Sequence, residues 1–301
     1  ASGDGPRLYD RRLGTQVVET VLGDRWLRAA YSGPWRSLCS LTLFRTAFAS
    51  RLMGMYADSR LSRSRIAGTI EQLGIDPGEF RDPVESFRTF NQFFCRHLRP
   101  DARPFCAAPG TLVSPADCRL LVFPHIDQGT CVPVKGASFT IEGLLGPGHE
   151  SEAQAYRGGA LAICRLCPAD YHRYHYPASG HEVSHWVVPG RYHSVHPLVL
   201  ALGLNVFAEN RREVTLLELA GFGSCVFLEV GAFGVAGIVQ THERGSFAKM
   251  DEKGYFTFGG STLIMLFRPD SVCFDEDLCD HSARGMETRV LCGDTLGSRP
   301  N

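Results

Sequence analysis

Three side chains in this sequence could together supply an activated serine: Asp117, His175 and Ser261. A carboxylate that orients an imidazole, and an imidazole that takes the proton of a serine, are the minimum set for a nucleophilic serine. Histidine is the side chain suited to moving protons near neutral pH. His172 and His175 stand in Asp170-Tyr171-His172-Arg173-Tyr174-His175-Tyr176-Pro177, where aromatic neighbours would dry the site and strengthen its electrostatics. Asp117 ends Ser114-Pro115-Ala116-Asp117, a tight turn between two strand-like runs. Ser261 follows Gly259-Gly260, where the backbone can bend sharply and another group can come close. Taken alone, that break also fits a bulge or a tight hairpin turn between apolar runs. No G-x-S-x-G elbow surrounds the serine, which argues against an α/β-hydrolase.

Two other chemistries were weighed. Six histidines fall between His172 and His196, and His181-x-x-x-His185 would put two zinc ligands on one face of a helix. Val183, Trp186, Val187 and Val188 read as strand instead, and no HExxH glutamate stands between the histidines, so no metal is assigned. The eleven cysteines are odd in number, and most sit inside apolar runs. They read as buried thiols, Cys164-x-x-Cys167 included.

The elements that must position these residues fall into two regions. Residues 1–15 are polar and read as a loose lead-in; from Gln16 to about Leu73 the apolar spacing is helical, as at Val17, Val18, Val21, Leu22, Trp26 and Leu27 and at Leu41, Phe44, Phe48, Leu52 and Met55. Arg45, Arg51, Arg60, Arg63 and Arg65 punctuate that face, which suits either an anionic membrane surface or packing with solvated arginines. A short helix is expected at Phe90, Phe93 and Phe94. Short strands follow at 111–113, 119–123, 130–134, 161–166, 183–188, 205–207, 213–219, 224–230 and 237–241. The expected fold class is α+β, with a β-rich barrel- or sandwich-like catalytic core at 81–301 and an N-terminal helical layer at 1–80. A formal charge of −1 argues against a nucleic-acid binder. No run approaches the ~20 apolar residues of a membrane span. The chain begins at Ala1, which suggests processing or excision from something longer, with any anchor or targeting segment in the missing part.

An ordered set of motifs then adds what spacing does not. SPAD (114–117), KGASFTIEGLLG (135–146), CRLCPADYHRYHYPASG (164–180), SVHP (194–197), FAENRR (207–212), EVGAFGVAGI (229–238) and KMDEKGYFTFGGST (249–262) together resemble the phosphatidylserine decarboxylase family. FNQFFCRHLRPDARP, within 85–104, resembles the start of that family's catalytic domain, and the first 80 residues match only loosely. The resemblance implies self-processing by serinolysis: His175, oriented by Asp117, activates Ser261 to attack the carbonyl of Gly260. The chain is then cut into 1–260 and 261–301, and Ser261 becomes a covalent pyruvoyl cofactor. It further implies decarboxylation of phosphatidylserine to phosphatidylethanolamine through a Schiff base to that group, with His172 protonating the carbanion. A homodimer at an anionic membrane surface is implied as well. The Gly-Gly-Ser-Thr form is similar to that of the endomembrane branch, which favours an endomembrane or secreted compartment over the mitochondrial inner membrane. The chain departs from the family pattern at Cys118 and Met250, where glycine is usual, and at His196, where asparagine is usual. Two rival functions use the same residues: a serine hydrolase built on Ser261, His175 and Asp117 without self-cleavage, and a non-catalytic lipid-binding relative.

Overall fold

The runs that are apolar or small at nearly every position, Ala160–Leu166 and Ser261–Phe267, bury every residue, as strands covered on both faces must. They lie side by side at the centre of a ten-stranded sheet in the computed structural model, which describes residues 6–19, 47–126, 132–134, 137–191, 206–231, 237–258 and 261–300. With strands numbered in chain order, its spatial order is β13 (Ser246–Phe247), β9 (Gly180–Val188), β10 (Arg212–Leu219), β11 (Gly223–Gly231), β15 (Ser261–Phe267), β7 (Ala160–Leu166), β4 (Cys118–Phe123), β17 (Thr288–Val290), β1 (Arg7–Asp10) and β2 (Thr15–Val18). Neighbours are antiparallel except β1 and β17, which run parallel.

One face of this sheet packs Leu120, Cys164, Leu263 and Phe227 against Tyr174 and Phe256. Those two residues come from a smaller sheet, β12 (Ile238–Gln240), β14 (Glu252–Phe256) and β8 (Arg173–His175). A further sheet joins β16 (Cys273–Phe274), β18 (Thr295–Ser298) and β3 (Thr111–Val113), and β5 (Val132–Val134) pairs with β6 (Ala137–Phe139). The opposite face of the large sheet buries Leu121, Ile163, Ile264 and Leu266 beneath residues of short helices at Ile141–Leu145, Glu150–Ala155 and Val206–Glu209. Helices α1 (Ala47–Asp58), α2 (Arg65–Leu73) and α3 (Phe90–Phe94) lie near the β core, where Ile66, Phe80, Phe87, Phe90, Phe93 and Phe94 form a separate cluster. Thr89 caps α3 by accepting from Gln92 N, and α2 stops at Gly74 in the left-handed region.

The α+β class and the layered β core hold as expected, and no closed barrel forms among the described residues. Three local expectations are corrected. Residues 7–18 are not a loose lead-in running into a helix but a hairpin on the edge of the main sheet. Its turn is fixed by Asp10, whose carboxylate accepts from the amides of Arg12 and Leu13, and by Gly14 at φ 64°. Valines 17 and 18 follow their β preference, which a 3–4 spacing over so short a window could not reveal. Residues 206–209 are helical, where 205–207 was expected as strand. Finally, the runs flanking Gly259-Gly260 do not form a hairpin: β14 belongs to the small sheet and β15 to the large one, so the chain crosses between layers there. The remaining expected helical positions between 20 and 46 lie outside the described residues.

Candidate active site

Ser261 is the first residue of β15, between Gly231 on β11 and Leu166 on β7. It is 0% exposed, and its Oγ lies 3.2 Å from Nδ1 of His172. The other ring nitrogen, Nε2, is 2.9 Å from the Cys167 carbonyl. A carbonyl can only accept, so the ring proton sits on Nε2 and Nδ1 is left bare for the serine hydroxyl to donate to. Phe94 of α3 stacks on the imidazole at 3.8 Å between ring centroids, and Phe258 meets Phe94 edge-on at 5.3 Å. This dry enclosure pushes the His172 pKa down to about 3, burial being the largest cause. The chain entering the Gly259-Gly260 segment is held from α3 as well, with Asn91 Oδ1 accepting from Phe258 N at 2.7 Å.

His175 and Asp117 form a second corner. The His175 amide donates to the Pro115 carbonyl at 2.9 Å, which ties the histidine strand to the Ser114–Asp117 turn. Its Nδ1 is 3.4 Å from Cys292 Sγ, while the amide of Cys292 donates to Asp117 Oδ1 at 2.8 Å. Burial lowers the His175 pKa, with the carboxylates of Glu252 and Asp117 working against it. Asp117 is held by the Arg103 fork at 2.8 and 2.7 Å. Burial alone would raise its pKa, but Arg103 and the Cys292 amide outweigh that and keep it ionised.

The four residues singled out from the sequence are therefore set as two pairs, Ser261 with His172 and Asp117 with His175 through Cys292. No hydrogen bond joins His175 to Ser261 or to Asp117 among the described residues. Arg103, Phe94 and Cys292 were missed as individuals. The first two lie in FNQFFCRHLRPDARP, whose aromatic and basic density was the available signal; Cys292 carried none. Of the departures, Cys118 opens β4 without a positive φ, so cysteine fits there. Met250 stands at φ 69°, a left-handed conformation that does favour glycine. His196 lies outside the described residues.

The histidines considered for zinc are placed on β9, where His185 Nε2 is 3.3 Å from Glu213 Oε2. Cys164 is a core residue, and the nine described cysteines are free thiols. A cavity of about 580 Å³ lies between α3 and the small sheet, with Asn91, Arg96, His97, Arg173 and Thr257 among its lining residues. It opens beside the segment that leads to Ser261.

Known proteins match this chain over most of its length. The profile of the phosphatidylserine decarboxylase family matches residues 90–298. A phosphatidylserine decarboxylase proenzyme of Chlamydia muridarum is 42% identical over 283 residues, covering 94% of this chain and 89% of its own length. Proenzymes of the same description from Ruminiclostridium cellulolyticum and Clostridium botulinum are 37% and 35% identical over 293 and 294 residues. Each covers 97% of this chain, and the matches cover 97% and 99% of their own lengths. A profile match over most of the chain and relatives this similar end to end leave one conclusion: this chain is an enzyme of the phosphatidylserine decarboxylase family.

Proposed function

We propose that this chain cuts itself between Gly260 and Ser261 and then decarboxylates phosphatidylserine to phosphatidylethanolamine and carbon dioxide. The observation that carries this reading is the burial of Ser261 at the head of a central strand with its hydroxyl on His172. Burial of this serine disfavours a hydrolase acting on external esters, and chain connectivity makes the carbonyl of the preceding residue its neighbour.

In this reading the Ser261 Oγ attacks the Gly260 carbonyl, the amide becomes an ester, and elimination breaks the Cβ–Oγ bond. Residue 260 leaves as a free carboxylate, and hydrolytic loss of ammonia leaves a pyruvoyl group at the start of 261–301. The residues present fit such a group: Gly231 opposite position 261 has no side chain, and His172 keeps a bare nitrogen towards it. Once formed, the ketone supplies an electron sink for the carbon that loses its carboxylate.

The two histidines divide the remaining work. His172, with a pKa of about 3, is a weak base in the uncleaved chain. An anionic headgroup arriving beside it would raise that pKa and let it donate a proton after carbon dioxide leaves. The base for cleavage is assigned to His175, whose pKa burial also lowers but where the carboxylates of Glu252 and Asp117 oppose that shift. Self-cleavage turns the segment after β14 into a free end, which offers the headgroup a path from the neighbouring cavity.

The substrate is a lipid, and the N-terminal helices present a surface suited to one. Leu52, Met55 and Leu61 are exposed, the last at 79%, while Arg60, Arg63 and Arg88 surround one hollow nearby. No helix among the described residues is long and apolar enough to cross a membrane. The exposed apolar side chains and the arginines support docking on an anionic bilayer, and a homodimer is what the family resemblance implies. An endomembrane or secreted compartment remains the assignment from the Gly-Gly-Ser-Thr form.

Intact-mass measurement tests the reading. Fresh protein is expected to convert to 1–260 and a blocked 261–301, and Ser261→Ala to stay whole. The two fragments should copurify until denatured, because β15 and β17 from the tail lie between strands of the larger piece. A chain that stays at full length while releasing labelled carbon dioxide from phosphatidylserine would sink the proposal.

A further inference from the structure

Behind the loop that carries His172 lies a cluster of charges that the chemistry above does not use. Arg119 on β4 and Arg165 on β7 are direct cross-strand partners, an unfavourable juxtaposition unless anions compensate it. Three buried carboxylates do so. Glu19, just after the N-terminal hairpin, is 2.8 Å from Arg119 Nε and 3.0 Å from Arg165 Nη2. Glu287, just before β17, accepts from Arg165 at 2.9 and 2.6 Å. Asp170 accepts from Arg119 at 2.5 and 2.6 Å.

The cluster reaches the active site through one turn. Asp170 Oδ2 accepts from the Cys167 amide at 2.6 Å, and the Asp170 amide donates back to the Cys167 carbonyl at 2.8 Å. The Cys167 thiol donates to Glu19 Oε1 at 2.7 Å. The same Cys167 carbonyl accepts the Nε2 proton of His172. Whatever fixes that carbonyl fixes which ring nitrogen is bare towards Ser261.

We infer that Glu19 and Glu287 are positioning residues that hold His172 as the Nε2–H tautomer, acting through the Arg119–Arg165 pair and the Cys167–Asp170 turn. The inference rests on the reading in which His172 exchanges protons at position 261. It makes the N-terminal hairpin part of the apparatus that orients the site. The two glutamates also come from opposite sides of the proposed cut, so the cluster holds both fragments to the His172 loop. A neutral amide in place of either carboxylate removes a charged acceptor that anchors Arg165, and the turn must shift as the guanidinium finds a new partner.

Nitrogen-15 NMR of the histidine rings in the uncleaved Ser261→Ala chain tests this without any turnover. His172 is expected to show a single neutral Nε2–H form. Adding Glu19→Gln or Glu287→Gln should give mixed tautomers and a faster-exchanging ring proton. In the chain with Ser261 intact, the same substitutions should lower kcat by ~10- to 100-fold with KM little changed, as expected of a misplaced group. Glu19→Asp keeps the charge and should recover part of that loss. If the glutamine variants fail to fold, Cys167→Ala removes only the thiol bridge and should speed exchange of the same proton. Unchanged His172 signals in the folded variants, with only a lower melting temperature, would overturn the inference. Absence of cleavage and decarboxylation in the unsubstituted chain would instead sink the functional reading and leave the NMR comparison intact.

Discussion

At the scale of single residues, the site separates nearness from basicity. His172 touches the Ser261 hydroxyl but is held neutral, whereas His175 lies one corner away and keeps two carboxylates in its favour. His175→Ala and Asp117→Ala should therefore stay uncut, since a serine hydroxyl is a weak nucleophile without a base. His172→Ala should still cut, yet decarboxylate ~10²- to 10⁴-fold more slowly, the usual loss for a general acid. A gel for cleavage and labelled carbon dioxide for turnover, run on each variant, decide it; the reverse pattern would give the base role to His172. Burial of His172 also sets an acid limit. Its pKa is about 3 in the folded chain against 6.5 ordinarily, so between those values the unfolded chain binds more protons. The stabilisation is fully present above pH 6.5 and lost as pH falls towards 3, a change on the order of a few kcal/mol. Acid unfolding of Ser261→Ala with and without His172→Gln measures it, and the histidine-free chain should lose less stability over that window.

At the scale of elements, what matters is how strands and loops hold these groups against one another. The tight stretch from Lys249 to Asp251 feeds β14, whose Gly254 passes so close to the Val239 carbonyl and the Tyr174 hydroxyl that a Cβ would collide with both. Met250 in that stretch carries a left-handed backbone that costs a non-glycine residue ~1 kcal/mol or more. Met250→Gly should raise the stability of the chain by about 1 kcal/mol, read from the denaturant midpoint at constant slope. A fall in stability would mean that its side-chain packing outweighs the backbone strain. Lys249 anchors the same stretch by donating to the carbonyls of Cys106, Ala108 and Thr111.

At the scale of the whole molecule, the candidate site and the surface proposed to meet the membrane sit in one layer. The phenylalanine cluster joins α2 and α3 to Phe258 and, through Phe94, to His172, so the helices proposed to face the lipid lie against the candidate site. Each basic residue near an anionic bilayer contributes ~1 kcal/mol, and exposed apolar side chains add to that. Met55→Glu with Leu61→Glu should weaken flotation on anionic vesicles while sparing decarboxylation of detergent-dispersed lipid. Equal flotation of the variant would move the docking surface elsewhere. Deleting residues 1–75 is a poorer test, because it would also remove Glu19 from the buried cluster.

Ser261, His172, His175 and Asp117 were singled out in the sequence through the family resemblance, and the structure sets them as two pairs. Most strands of the core were legible, because alternation or continuous burial reads directly from residue types, as in β7, β10, β11 and β15. The pairing of the site was not legible. His172 rather than His175 meets Ser261 because β8 lies in the small sheet and β15 in the large one, a layering that spacing along the chain does not encode. Nor could the sequence show that the strands on either side of Gly259-Gly260 belong to different sheets instead of forming a hairpin. The same holds for Glu19, which reaches the Arg119–Arg165 pair only because the N-terminal hairpin adds to the sheet beside β17, 270 residues and more away in the chain. Local chemistry determined which groups this protein carries; long-range strand pairing decided which of them touch.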